Sequence, residues 1–342
     1  MAASKQCPVY TAILKKSDGT KYRLKGITTD MVVSQGKDDI AEKVSLTIVN
    51  IKVGTKMLHS IIKLRDKITV YANTGSGAKE VFRGFVWERQ FDVTTDVKQI
   101  KLICYDKLIY LQNSKDNLFV SKGSRTKDVI TQIAKKWGIK IIYNYSSISH
   151  KKLVYRSEYI SDIMISLLNK VKNQTGNGYV VRCEKDVMVI EPTGSNKTVY
   201  KVESKDNAIS SSYNETMEGM ITKVKIVKAE TIKTKKDSEK ETGKYITVAT
   251  VKGNTKEYGT LQDIIEKGSD EKMENVKKEA NQIIKKDGSP KKEVTVECVD
   301  IPWVKKGYKI YINTGILKNN YIVKGIEHDA TAHVMILEVR KA

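Results

Sequence analysis

Histidine, cysteine and proline each occur only four times in this chain of 342 residues, and each scarcity excludes something. Four prolines beside 40% hydrophobic residues fit a folded chain, not a disordered one. Cys7, Cys104, Cys183 and Cys298 stand singly, without a CxxC pair. That spacing spells neither a disulfide framework nor a zinc knuckle and suits reduced thiols made in a cytoplasm. No apolar run approaches the roughly 20 residues needed to span a bilayer. The opening, MAASKQCPVYTAILKK, has no long apolar core after its basic residues, so no signal peptide is expected.

Catalytic signatures are equally absent. Nothing matches GxSxG, HExxH, a P-loop or GxGxxG. A metal site needs three or four converging ligands, and the histidines (His59, His150, His328, His333) offer one suggestive pair, His328 and His333, with Cys298 in a nearby block. The corresponding early region carries Trp87 and Gln99, so the pair reads as residues flanking a hairpin turn. Cys104 lies inside an alternating strand, where cysteine acts as a small hydrophobe. Asp18, Asp30, Asp92 and Asp329 sit in turn contexts that side-chain-to-backbone bonds explain. We therefore expect no catalytic, cofactor-binding or metal site, and no enzyme. The net charge of +21 makes nucleic acid a candidate partner. However, lysine dominates, acids are interspersed, and no Arg-rich arm, RRM signature or C2H2 spacing appears, which describes a solvated surface better.

What is present is a duplication. VSLTIVNI (44–51), KITVYANTG (67–75), FRGF (82–85) and QIKLICY (99–105) are followed late in the chain by VTVECVDI (294–301), KIYINTG (309–315), VKGI (323–326) and HVMILEV (333–339). Order and spacing are nearly kept, and each block alternates apolar and polar residues as a half-buried strand does. Asn-Thr-Gly marks a turn in both sets. Two copies are too few for a solenoid, so the chain reads as one small β domain written twice.

Between the copies the period changes. Thr126 predicts the N-cap of a helix carrying Val129, Ile130, Ile133, Ala134 and Trp137, stopped by Gly138. A strand follows over 139–145. Ser161 precedes a second helix over 163–171, ending at Gly176-Asn177-Gly178, and a hairpin runs over 179–190 with its turn at 184–186. The second copy begins near Val199 and is itself interrupted. Strands over 220–227 and 245–251 flank a polar tip (229–243), which has nothing to bury and should be mobile. A helical excursion over 257–287 follows. Thr260 with Asp263 suggests a capping box before Leu261, Ile264 and Ile265, and Ser269 caps a longer helix with Met273, Val276, Ala280, Ile283 and Ile284, ended by 287–290. The predicted fold is α+β and β-rich, with a first β domain over 1–112, a small α/β insert over 113–198 and a second β domain over 199–342.

This order resembles the baseplate hub proteins of contractile phage tails, above all the smaller hubs of defective prophages and R-type, phage-tail-like bacteriocins. FRGFVWERQF, ICYDKLIYL, TKDVITQIAKKWGI, NETMEGMITKVKI and YIVKGIEHDATAHVMILEV carry the resemblance. It implies two tail-tube-like β-barrel or sandwich domains per chain and a homotrimer presenting six such domains. Such a ring would adapt a sixfold tail tube to a threefold central spike. The implied partners are spike, tube, tape-measure and other baseplate proteins, with no membrane segment and nucleic acid at most in transit through the channel. It further implies synthesis in a bacterial cytoplasm, incorporation into a virion or tail-like particle, and release by lysis. Because the sequence ends at Ala342, just past the second copy, the piercing tip and any wall hydrolase are expected to be separate proteins. Two rivals stay open: SRTKDVITQIAKKWGIKI (124–139 at its core) resembles a LysM phrase, which would imply peptidoglycan binding, and the net charge alone leaves a nucleic-acid-binding protein as the second.

Overall fold

The computed structural model describes residues 7–91, 98–233, 239–268 and 272–342. Asp92, the Ser269 cap and the centre of the polar tip (234–238) lie outside the described residues. The chain divides into two compact units, Met1–Ser212 with Val294–Ala342, and Tyr213–Glu293.

In the first unit the chain lays down β1 (Val9–Lys15), β2 (Lys21–Arg23), β3 (Thr28–Gln35) and β4 (Lys43–Val49). A small hairpin follows, β5 (Lys52–Val53) and β6 (Lys56–Met57), then a short helix α1 (Leu58–Ile61). Next come β7 (Lys67–Asn73), β8 (Ala78–Gln90) and β9 (Gln99–Tyr105). Successive side chains of a strand point to opposite faces. Accordingly Val44, Leu46 and Ile48 of β4, Ile68 and Val70 of β7, and Ile100, Leu102 and Cys104 of β9 fill one core, with their neighbours outside it.

The insert contributes α2 (Ile109–Gln112), β10 (Lys115–Val120), α3 (Thr126–Lys136), β11 (Lys140–Tyr143), β12 (Leu153–Tyr159), α4 (Ile160–Thr175), β13 (Tyr179–Glu184) and β14 (Val187–Pro192). Helices α3 and α4 share a core with Met188 and Ile190. The α3 boundary corrects the sequence reading. Arg125 is the N-cap, and Thr126 is the first helical residue. The Thr126 hydroxyl is buried and engaged elsewhere, 2.8 Å from His150 Nε2 and 3.2 Å from the Ile148 carbonyl it bonds. Ser161 likewise lies inside α4, which starts after Tyr159; the helix stops at Gly176 as expected. The turn between β13 and β14 places Lys185 (φ 51°) and Asp186 (φ 70°) in the left-handed region a tight hairpin demands.

The second copy opens with β15 (Tyr200–Glu203) and β16 (Ala208–Thr216). The chain then forms the second unit, with β17 (Lys223–Lys233), β18 (Glu239–Lys252), α5 (Thr255–Tyr258), β19 (Gln262–Glu266) and α6 (Met273–Asp287). Its core joins Val224 and Ile226 to Val276 and Ala280 of α6. The expected helix around Leu261, Ile264 and Ile265 is instead strand β19, parallel to β17 from Lys223↔Gln262 to Val227↔Glu266. Only eight residues separate Gly259 (φ 76°) from Gly268, too few to offset helix nucleation, and β17 offers an open edge. Thr222 reinforces the strand: its hydroxyl donates to Gly259 O (2.7 Å) and accepts from Leu261 N–H (2.8 Å).

The chain returns through β20 (Lys291–Val299), β21 (Lys309–Thr314), β22 (Leu317–Asp329) and β23 (Val334–Lys341). The two copies have one wiring, β4-β9-β8-β7 in the first and β20-β23-β22-β21 in the second. Registers agree as well. Val44↔Cys104, Leu46↔Leu102 and Ile48↔Ile100 are matched by Val294↔Val339, Val296↔Leu337 and Cys298↔Met335. A bulge follows Val86 in β8 and Val323 in β22. By this register the counterpart of 99–105 is 334–340, one residue later than the sequence blocks suggest. His333 stands before the strand, in the turn, with φ 58°. Both Asn-Thr-Gly turns put glycine at positive φ, 95° at Gly75 and 54° at Gly315. One element departs: β1 runs antiparallel to β7, whereas β15, reached from the insert, runs parallel to β21.

The copies share a sheet. Strand β22 pairs with β3 from Ile326↔Gln35 to Asp329↔Val32, joining both sets into one 13-stranded sheet. Gly84 supplies the close approach at the β8–β9 crossing, where a Cβ would stand 2.2 Å from the Tyr105 carbonyl oxygen. Gly84→Ala should therefore destabilise the chain by about 1–3 kcal/mol in denaturant titration; a neutral result would show that β8 can shift away.

Candidate functional site

Cys104, Cys298 and His328 sit on strands, and His333 stands in a turn. His328 and His333 both meet Asp300, the first through its ring and the second through its backbone carbonyl. His328 on β22 is buried and places Nδ1 2.6 Å from Asp300 Oδ1 and Nε2 3.1 Å from the Val304 carbonyl. His333 contributes its backbone carbonyl to Asp300 N–H at 3.0 Å. Cys298 is buried in the second-copy core, which pushes its thiol up to about 12. Burial likewise pushes the Cys104 thiol above its ordinary range, away from the thiolate a nucleophile needs. Among the described residues no three His, Cys, Asp or Glu side chains converge as metal ligands. Asp18 and Asp329 are turn residues, accepting from Thr20 N–H, and from Thr331 and Ala332 N–H respectively. Asp30 is not: it lies within β3, beside a bulge.

What the fold does assemble is a polar joint where the first copy, the insert and the second copy meet. Asp300 follows β20 in the second copy. Its other oxygen, Oδ2, accepts the Tyr10 hydroxyl of β1 at 2.5 Å, across 290 residues of sequence. Burial, then the Asp300 charge, drives the Tyr10 phenol far above its ordinary value, so it stays a donor. A second group centres on the loop over 36–42. Gln35 donates to the Ile40 carbonyl (3.0 Å) and to Val181 of the insert (3.3 Å). Lys306 Nζ, its pKa lowered to about 8 by burial, donates to the carbonyls of Gly36 (2.8 Å) and Asp39 (2.6 Å). Arg182 of β13 reaches the Lys306 carbonyl (3.1 Å) and pairs with Glu184 and Glu191 at 3.1 and 2.6 Å. Below them Asp106, 1% exposed, accepts Glu42 N–H and Leu108 N–H at 2.8 and 2.7 Å. Sequence reading missed this joint because its members come from loops scattered along the chain. The one visible signal was a lone glutamine, Gln35, on the buried side of an alternating strand.

Such a joint can hold the three parts of the chain together. Two of its carboxyls titrate late. Burial, then the charge of Asp106, pushes Glu42 up to about 8, and burial pushes Asp106 up to about 7 against the pull of its two N–H donors. In the unfolded chain both titrate near 4. The folded chain thus keeps protons that the unfolded chain releases, and the stability this confers is full below about pH 4 and lost as pH rises through about 8. The free energy of unfolding, read from denaturant titration, should fall between pH 5 and 7.5 by at most about 1.4 kcal/mol per pH unit for each such group. Glu42→Gln should flatten that slope, and an unchanged slope in the variant counts against the assignment. His328→Ala leaves Asp300 buried with half its partners and should cost about 3 kcal/mol. The check is thermal or denaturant unfolding, and a change under about 0.5 kcal/mol would show that the pair carries little stability.

Known proteins are similar to this chain in sequence and in fold. The YQBQ-like family model matches residues 32–340. The phage-like element PBSX protein XkdQ of Bacillus subtilis (strain 168) is 27% identical over 270 residues, covering 76% of this chain and 78% of the relative. The 43 kDa tail protein of prophage MuSo2 from Shewanella oneidensis superposes with a TM-score of 0.68 at 15% identity, covering 97% of this chain and 98% of that one. The tail protein from Neisseria meningitidis MC58 gives 0.68 at 12%, covering 97% of each. The resemblance to phage-tail proteins read from the sequence thus holds in the fold as well. This chain belongs to the YQBQ-like family.

Proposed function

We propose that the chain is the hub of a baseplate, in a contractile tail or a tail-like particle, and that it acts as a homotrimer. The observation that carries this reading is the duplication: two sets of strands with one wiring and one register, fused edge to edge through β22 and β3. Three such chains present six similar domains around one axis, which is what an adaptor between a sixfold tube and a threefold spike requires. The work is mechanical. A ring of this kind withstands load through its interfaces, and obligate interfaces commonly bury over about 2,000 Å2. The joint of Tyr10, Asp300, His328, Gln35 and Lys306 keeps the two copies of one chain at a fixed spacing, so that load on one passes to the other. Spike, tube and other baseplate proteins are the partners, and the particle, once assembled, is the protein's place of action.

Mass photometry of the purified chain tests the reading. The expected species has three times the 38.6 kDa of one chain. A single-chain mass that persists at micromolar concentration, with spike and tube proteins added, would remove the hub proposal.

A further inference from the structure

The junction between the two copies is made once inside the chain and left open once. Inside, the outer half of β22 (326–329) lies along β3. As a result Gly325, Ile326 and His328 are buried on one side, and Met31, Val33 and Gln35 on the other. By the shared register Arg89 and Gln90 at the end of β8, and Phe91 after it, are the first-copy counterparts of Ile326, Glu327 and His328. That end pairs with β9 and, beyond Val86, with no other strand among the described residues. Glu88 and Gln90 are exposed there, and Trp87 is 39% exposed.

The counterpart of β3 in the second copy is β16. Val49 N–H bonds the Ile27 carbonyl just before β3, and Val299 N–H bonds the Asn207 carbonyl just before β16 in the same way. Strand β16 is the terminal strand of the sheet, and all seven residues from 209 to 215 are exposed, with Ile209 at 54% and Tyr213 at 42%. Thus the two halves missing a neighbour are the two halves that meet in the internal junction. Natural sheets blunt their free edges. The opposite end of this sheet does so with β2, a three-residue Lys-Tyr-Arg strand. Strand β16 has nine residues, no proline and one acidic residue, Glu215.

We infer that β16 of one chain pairs with residues 89–91, at the end of β8, in a second copy of the same chain, repeating the β3–β22 junction between chains. The inference rests on the ring reading and adds to it the strands that close the ring. The contact is head-to-tail, so each chain offers one β16 and one β8 end, and a closed ring leaves neither free. Because Glu327, the counterpart of Gln90, pairs with Ser34, Gln90 should face the stretch 212–214 of its neighbour.

The test uses the full chain with Cys7→Ser, since Cys7 is exposed. Gln90→Cys is combined with Ser212→Cys or with Asn214→Cys, and strands paired in register bring Cα atoms to about 5.5 Å, within disulfide reach. Oxidation should yield covalent dimers and trimers for at least one pair on a non-reducing denaturing gel, and none for Gln90→Cys combined with Lys21→Cys of β2. Ser212→Pro, which removes an N–H from the exposed edge, should reduce the native mass to one chain without lowering the melting temperature by more than a few degrees. If that variant fails to fold, the cross-linking decides alone. A native trimer that cross-links through neither pair overturns the edge assignment and leaves the ring standing. A single-chain mass for the unsubstituted protein overturns both.

Discussion

The backbone ladder between β22 and β3 is the contact on which the rest of the structure depends. Without it the two copies are separate small sheets, each with an open edge of unpaired N–H and C=O groups. With it, Met31 and Val33 on one strand and Ile326 on the other become interior residues. Its register is fixed as well as its existence. A one-residue slip would turn every side chain on β22 to the other face and take His328 away from Asp300, which Tyr10 holds from its other side. A carboxylate at full burial is tolerable only when hydrogen-bonded. The Tyr10–Asp300–His328 chain therefore acts as a check on alignment, since its members satisfy one another only when the first strand, the loop after β20 and the ladder are all in place.

The strands were legible because alternation is a local property that burial on one face imposes directly. Blocks 44–51, 67–75 and 99–105 and their late counterparts all became strands, and their repetition was visible as a repeated phrase. Helix stops at glycine were legible for a similar reason. Helix starts were not: Thr126 and Ser161 have N-cap chemistry, but both are buried, and a tertiary partner at His150 claims the Thr126 hydroxyl. The capping phrase at Thr260–Asp263 misled in the same way, because an available edge on β17 outweighed a weak helical preference. The joint was the least legible part. His328 stood out as one of four histidines, yet its partners lie 28 residues away at Asp300 and, through it, 290 further at Tyr10. No period or spacing encodes a contact of that range.

The wiring also explains why a chain with two similar copies carries two such different additions. In the first copy β3 and β4 are joined by residues 36–42; in the second, the equivalent strands β16 and β20 are joined by 217–290, which hold most of the second unit. Lengthening a connection costs little chain entropy, roughly 0.6 kcal/mol per doubling, so the insertion itself is thermodynamically cheap. What decides where it can go is whether the connection is already committed. The loop over 36–42 is committed: Gln35 and Lys306 bond its carbonyls, and Glu42 N–H caps Asp106. An insertion there would break the joint that holds the copies in register. The equivalent connection of the second copy follows β16, the terminal strand of the sheet, and the β3–β22 ladder does not pass through it. The same duplicated unit could thus grow a new domain in its late copy while its early copy stayed short, because only the early loop is part of the joint.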